Sequence, residues 1–364
     1  MGVTVASPES GRGATPPSAS SVGTPARRVE SACRVCGDVQ NNHALIAKEM
    51  MFGSREEFEY VECATCGTVQ ILEIPSELGK YYPSAGYFSL VRHSEARAGP
   101  VHGFMEALEF RAIARPSLGH GSGWYQQLSS LDITEPGVEA VGKANVALDA
   151  RVLEVGCGNG RLLRILARLG FTNLRGIDPF LPGDFFEGGI TLQRRDIDDL
   201  DRSAFFDLII LYHALEHVRD PIATLHAVRE HLTRAGVAIV AMPIVSTAFR
   251  EYGANWYQLD PPRHLHLFST KSFEIALARS GLRLSGSYFN STAAQFRLSE
   301  AYARNVALSE IPPPMIGFGR ARFPDLLTRQ EARSRARAHA LNAAGEGDQA
   351  VFYLRRGDET TRAG

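Results

Sequence analysis

From Asp149 onward the chain alternates short apolar runs with stretches whose apolar residues recur at helical spacing. Val152 to Val155, Asn173 to Ile177 and Thr191 to Arg195 read as strands, and Arg161 to Leu169 as the helix after the first. Phe206 to Leu211 is a nearly continuous apolar run, suited to a central parallel strand buried on both faces. The alternation continues with a helix from Pro221 to Arg234, a strand from Val237 to Met242, a helix from Lys271 to Ser280 and a strand from Leu282 to Tyr288. A final strand is expected at Ala350 to Leu354. Strands that alternate with helices predict an α/β, doubly wound, mostly parallel sheet. Between its last two strands the chain inserts about sixty residues, 290–349, far more than a hairpin needs. Helices are expected there at Phe296 to Ala307 and Thr328 to Ala344, with Pro312-Pro313-Pro314 between them.

The first strand runs directly into Gly156-Cys157-Gly158-Asn159-Gly160, so bare backbone can approach a nucleotide-like ligand. A pyrophosphate-binding turn has the spacing Gly-x-Gly-x-x-Gly, whereas this one is Gly-x-Gly-x-Gly with Glu154 two residues ahead. A carboxylate there repels a pyrophosphate and attracts an ammonium group. In this motif the chain resembles the class I S-adenosylmethionine-dependent methyltransferases, whose sheet is seven-stranded and Rossmann-like. The resemblance spans roughly 149–288 plus the last strand. It implies that Glu154, Gly156, Cys157, Gly158 and Gly160 surround the cofactor and that Asp178 accepts the ribose hydroxyls. It also implies that Asp196 and Ile197 hold the adenine, with Tyr212 nearby. Cys157 is expected to be a small residue whose N–H faces the ligand, with nothing to activate its thiol.

Methyl transfer to an alcohol needs a base, and histidine suits that task. His213 and Glu216-His217 follow the fourth strand, and His264 and His266 lie in the segment Trp256 to His266 after the fifth, both at carboxyl ends of strands. His217 is ranked first as base, then His213 and His264. His226 and His231 are expected on the surface, and Trp256 and Phe268 in the core. The segment His213-x-x-Glu216-His217, with His264 or His266 as a candidate further ligand, is also similar to the Glu-x-x-Glu-His of ubiquinone-pathway and small-RNA end O-methyltransferases, where it helps hold a divalent metal beside the acceptor oxygen. That resemblance implies a second divalent metal as the lesser alternative to a histidine base, because unmetallated histidines are commoner in such clefts. Arg329, Arg333 and Arg337 share a helix face that could meet an anionic acceptor, although a solvated face is the plainer reading.

Cys33-Arg34-Val35-Cys36-Gly37 and Cys63-Ala64-Thr65-Cys66-Gly67 are matched turns that suit a structural zinc ribbon, with Glu57 to Val61 as one hairpin arm. Disulfides and a redox dithiol are the competitors. Glu49, Glu56, Glu57, Glu59 and Glu62 outnumber the basic residues of this module, and the net charge of the 364 residues is −1, which argues against nucleic acid as partner. No apolar stretch is long enough to span a membrane, and no signal-peptide core is evident, so a cytoplasmic location is expected.

The expected organisation is a disordered tail at 1–30, a zinc ribbon at 31–75, a helical linker or lid at 76–148, a methyltransferase domain at 149–358 and a tail at 359–364. The linker includes helical runs near Phe104 to Ala114 and the aromatic stretch Tyr81 to Phe88, read as a packing strap before a stacking platform. The leading expectation is O-methylation of a hydroxyl on a small molecule, sugar or secondary metabolite. A sugar C-methyltransferase and a zinc-ribbon RNA methyltransferase are the alternatives.

Overall fold

The computed structural model describes residues 27–82, 136–311 and 329–357. The expected helix near Phe104 to Ala114, the Pro312 to Pro314 segment and the C-terminal tail lie outside these residues, as does most of the N-terminal tail.

Near the N-terminus, β1 (Arg27–Val29), β2 (Asn42–Lys48), β3 (Glu57–Glu62) and β4 (Val69–Ile71) pair in sequence as an antiparallel meander. Arg27 to Val29, inside the expected tail, pair with β2. Within the span expected as linker, α1 covers Pro136–Ala144. It belongs to the α/β layers: Val138 and Val141 are buried with Leu162, Leu163 and Leu166, and the Tyr353 hydroxyl donates to the Ala140 carbonyl.

The large sheet contains β5 (Arg151–Val155), β6 (Asn173–Ile177), β7 (Phe185–Glu187), β8 (Ile190–Gln193), β9 (Phe206–Tyr212) and β10 (Leu232–Pro243). Its last members are β12 (Leu282–Phe289) and β13 (Gln349–Arg356). Their order is β12-β13-β10-β9-β5-β6-β8-β7. Only β13 and β7 run against their neighbours. Seven of these strands form the expected sheet. The eighth, β7, is a short edge strand that Gly188 and Gly189, both at positive φ, turn back onto β8.

Periodicity explains the layers. In α2 (Arg161–Arg168), Leu162, Leu163, Ile165 and Leu166 are buried against the sheet. Leu208 to Leu211 of β9 and Ala238 to Met242 of β10 are almost wholly buried, and each such leucine, isoleucine or valine contributes about 1.5–3 kcal/mol by leaving water. Asp220 caps α3 (Pro221–His231) through the Ala223 N–H, with proline at the first turn. This helix ends at His231 rather than Arg234, because Leu232 already pairs with Phe206 and a bulge precedes Val237. His231 is buried, against expectation, with its Nδ1 2.8 Å from the Ala204 carbonyl oxygen. Trp256 and Phe268 are core residues.

After β10 come α4 (Thr247–Tyr252), the two-residue β11 (His266–Leu267) and α5 (Thr270–Ser280), capped by Ser269 and closed by Gly281 at φ 72°. The 290–349 insertion holds α6 (Ala294–Ala303) and α7 (Arg329–Ala344), pinned at its root by paired hydrogen bonds between Ser291 and Asn342. α6 stops short of Ala307 at the positive-φ residue Asn305.

Strand β11 pairs antiparallel with β4 and so completes the N-terminal sheet from the later domain. The two parts share one core: Tyr60, Val69 and Ile71 pack with Phe249, Trp256, Leu259, Leu265 and Leu267. Among the described residues no helix is long and apolar enough to cross a membrane.

Candidate functional site

Parallel strands bring their carboxyl ends to one edge, and here the strand order reverses on either side of β5, which opens a crevice beyond it. The glycine loop sits in that crevice. Gly156, Gly158 and Gly160 have φ of 72°, 50° and 75°, in the left-handed region that favours glycine. The buried Asp178 ties the loop down, its carboxylate oxygens accepting from Gly158 N (2.9 Å) and Phe180 N (2.8 Å). Burial raises its pKa, partly offset by these two N–H donors. Two acceptor positions of such a carboxylate are then used and others remain. Glu154 is buried in β5, Asp196 caps an exposed turn, and Ile197 is fully buried beneath it. Tyr212 is half-buried, its ring edge-on to His213 at 5.1 Å.

Cys157 differs from expectation. Its N–H turns inward to the Ile177 carbonyl (3.2 Å), and its sulfur lies where a Cβ on Gly176 would come within 2.7 Å. Burial, with Glu154 and Asp178 adding to it, pushes the thiol pKa up, so it is a packing group and no nucleophile.

A Cβ on Gly156 would stand 2.8 Å from that of Ala214, which leads into the histidine segment. Gly156→Ala should therefore cost about 2–4 kcal/mol from left-handed strain plus overpacking. It should also weaken S-adenosylmethionine binding, read by calorimetry beside a melting curve. Binding and Tm at wild-type values would contradict this account of the loop.

Beyond Ala214, the structure brings two groups of the histidine segment together with His264. One ligand atom each from Glu216, His217 and His264 lies within 4.8 Å of the others. His213, at φ 51°, adds its Nδ1 3.1 Å from Glu216 Oε1. His217 Nδ1 is 3.0 Å from the Arg263 carbonyl, and His264 Nδ1 is 2.7 Å from the Gln258 carbonyl. A carbonyl can only accept, so each Nδ1 carries a proton. Burial and the neighbouring His264 hold His217 down to about 4, against Glu216 and Asp260, so the ring is neutral at pH 7. Burial pushes Glu216 up, yet the His213 hydrogen bond and the surrounding histidines hold it lower still, at about 2. Its Oε2 is buried with no hydrogen-bond partner.

His266 stands apart. Its Nε2 is 3.1 Å from the Arg219 carbonyl, and burial lowers its pKa to about 4. The arginine face on α7 also fails to form an anion site: Arg337 pairs with Glu251 and lies over the Phe296 ring, and Arg333 is exposed. The Arg329 side chain lies outside the described residues.

Several residues around the cluster escaped the sequence. Arg263 is fully buried between Glu49 (2.8 Å) and Asp260 (2.6 Å), and charged residues are so seldom buried that pattern alone does not single them out. Tyr82, from the expected strap, stacks on Phe180 at 5.0 Å and places its hydroxyl 3.0 Å from His217 Nδ1, while residues 83–88 of that stretch lie outside the described residues.

The four cysteines of the N-terminal module converge. Cys33 and Cys66 sulfurs are 3.5 Å apart, as are those of Cys36 and Cys63. That is too far for disulfides and close to the edge of about 3.8 Å that tetrahedral Zn–S bonds require. The knuckles match atom for atom: Gly37 and Gly67 N–H groups return to the Cys33 and Cys63 carbonyls, each at 2.8 Å. The Cys66 thiol holds Cys33 down at about 5, while burial pushes Cys36 up to about 11, as expected of sulfurs that need a cation to ionise together. The donor set fits zinc.

A family described as a methyltransferase domain matches residues 134–285. The ubiquinone biosynthesis O-methyltransferase of Cereibacter sphaeroides (strain ATCC 17025 / ATH 2.4.3) is 31% identical over 131 residues, covering 33% of this chain and 53% of that protein. The chain thus spans about half the length of the curated relatives it matches. Among solved structures, an S-adenosylmethionine-dependent methyltransferase from Mesorhizobium loti aligns with TM-score 0.36 and 18% identity, over 57% of this chain and 91% of that one. A didemethyltoxoflavin N1-methyltransferase from Burkholderia thailandensis, with S-adenosylhomocysteine bound, aligns with TM-score 0.39 and 14% identity, over 81% and 97%. The family match lies over the glycine loop, Asp178 and the histidine segment, and identifies residues 134–285 as a methyltransferase domain.

Proposed function

We propose that this protein is an O-methyltransferase for a hydroxyl on a small molecule, sugar or secondary metabolite, in which Glu216, His217 and His264, with His213 beside them, hold a divalent cation at the acceptor oxygen. The observation that carries this reading is the convergence of three donors whose histidines each give Nδ1–H to a backbone carbonyl. Metal-ligating histidines are oriented in that way. The expected reading of His217 as a general base is less well supported, because a ring held near 4 has little driving force to take a proton from an alcohol. A bound cation would supply Lewis acidity that makes the acceptor hydroxyl easier to deprotonate.

On the cofactor side, Glu154 would meet the ammonium end of S-adenosylmethionine and Asp178 the ribose hydroxyls. Asp196 and Ile197 would border the adenine, and the glycines with Cys157 and Tyr212 would shape the floor. Cys33, Cys36, Cys63 and Cys66 would hold one structural zinc, and reduced thiolates suit a cytoplasmic location.

Methyl transfer to a panel of catechols, sugars and phenolic metabolites tests the reading. Brief chelation that leaves the ribbon zinc in place should lower turnover about 10- to 100-fold, restored by Mg²⁺, Mn²⁺ or Co²⁺. Full turnover in chelator would return the role of base to a histidine.

A further inference from the structure

The segment that carries His264 is held from two sides by backbone and buried side chains. Leu265 donates its N–H to the Glu216 carbonyl (2.7 Å), while its own carbonyl accepts from Ile71 N in the cysteine module (3.1 Å). The Tyr60 hydroxyl, on the fully buried β3 tyrosine, donates to the His264 carbonyl at 2.9 Å. One residue earlier, the Arg263 carbonyl accepts from His217, while the Arg263 guanidinium is gripped by Glu49 of the module. Glu49 in turn accepts from the backbone of Phe52 and Ser54, so its carboxylate is fixed by the turn between β2 and β3. The knuckles dock directly on the later domain as well: Ser269 donates to the Cys66 carbonyl and Lys271 to that of Thr65, each at 2.6 Å. The module therefore bonds both neighbours of the peptide units that orient His217 and carry His264.

We propose that the four-cysteine module is a positioning element for the acceptor-side cluster, with Tyr60 and Glu49 as its positioning residues. Tyr60 sets the height of the His264 peptide, and Glu49, through Arg263, sets the carbonyl that orients His217. Water could not replace these partners without entering a shared apolar core. The consequence for turnover rests on the cation reading above; the positioning itself does not.

The test uses the full zinc-loaded chain with Tyr60→Phe, which removes one oxygen and leaves the zinc ligands and strand pairing alone. Three quantities are compared with wild type: S-adenosylmethionine affinity by calorimetry, Mn²⁺ affinity by calorimetry, and the ¹⁵N ring spectra of His217 and His264. We expect one zinc per chain, cofactor affinity within about twofold, displaced histidine ring signals, and Mn²⁺ binding weakened about tenfold, as for loss of a partner that orients a ligand. Unchanged ring signals in a zinc-replete variant would overturn the proposal. If wild type binds no Mn²⁺, the cation reading falls while the ring spectra still decide the positioning. Should Tyr60→Phe not fold, Glu49→Gln carries the same comparison, and unchanged His217 signals there would overturn it.

Discussion

Glu216→Gln should lower methyl transfer by about 10²- to 10⁴-fold while leaving S-adenosylmethionine affinity near wild type. The carboxylate is 1% exposed and held at about 2, so it contributes a full negative charge at physiological pH. The substitution keeps shape and volume and removes that charge from the middle of three histidines. Among the described residues Glu216 makes no hydrogen bond to the glycine loop or to Asp178, so the cofactor side should not register the change. His217→Ala should behave alike in turnover. The measurement is a split: kcat from methyl incorporation and cofactor Kd from calorimetry on the same preparation. A Glu216→Gln chain that turns over at the wild-type rate would remove the acidic residue from the chemistry, and with it the three-donor cluster as the reactive centre.

How far the sequence reached depends on which interactions carry a periodic signal. The alternation from Val152 to Leu354 carries the seven main strands because strand and helix faces repeat at fixed intervals, but it misses the short β7 and α4 and misplaces ends such as His231 and Ala303. Glycine at 156, 158 and 160 was informative because positive φ leaves a mark on residue type. The two knuckles were legible for the same reason, through Gly37 and Gly67. By contrast, β11 is two residues long and owes its strand conformation to β4, almost two hundred positions earlier, which no local pattern reports. The Glu49–Arg263 pair is likewise a long-range fact, separated by 214 positions and invisible as periodicity. The sequence ranks His217 ahead of His213 and His264 and brings in His266 only as a neighbour of His264. Packing separated them, turning three toward Glu216 and sending His266 to the Arg219 carbonyl.

The second large effect is expected from Cys33→Ser. Cys33 is 3% exposed and its sulfur lies 3.5 Å from that of Cys66, so a hydroxyl there removes one of four thiolates from a closed set. Structural zinc supplies about 10–16 kcal/mol in small zinc-finger peptides, comparable with the net stability of about 5–15 kcal/mol of a whole domain. Elemental analysis should fall from one zinc per chain toward none. Amide exchange should lose protection at Tyr60, Val69 and Ile71 first, and methyl transfer should fall with it as the 263–265 peptides lose their partners. Cofactor affinity should change least, because Gly156 to Gly160 and Asp178 are bonded within the large sheet. Zinc retained at one per chain with normal protection would refute the four-thiolate site.

Strand β11 has a practical implication for anyone trimming this protein. The family match begins at residue 134, which invites a version that starts there. Such a fragment would strip the cover from Phe249, Trp256, Leu265 and Leu267, all nearly or fully buried in the intact chain. It would also leave His266 and Leu267 with unpaired backbone groups along an open margin. A sticky apolar surface beside a free strand is a template for self-association. The shortened chain should therefore aggregate rather than work as a minimal catalyst.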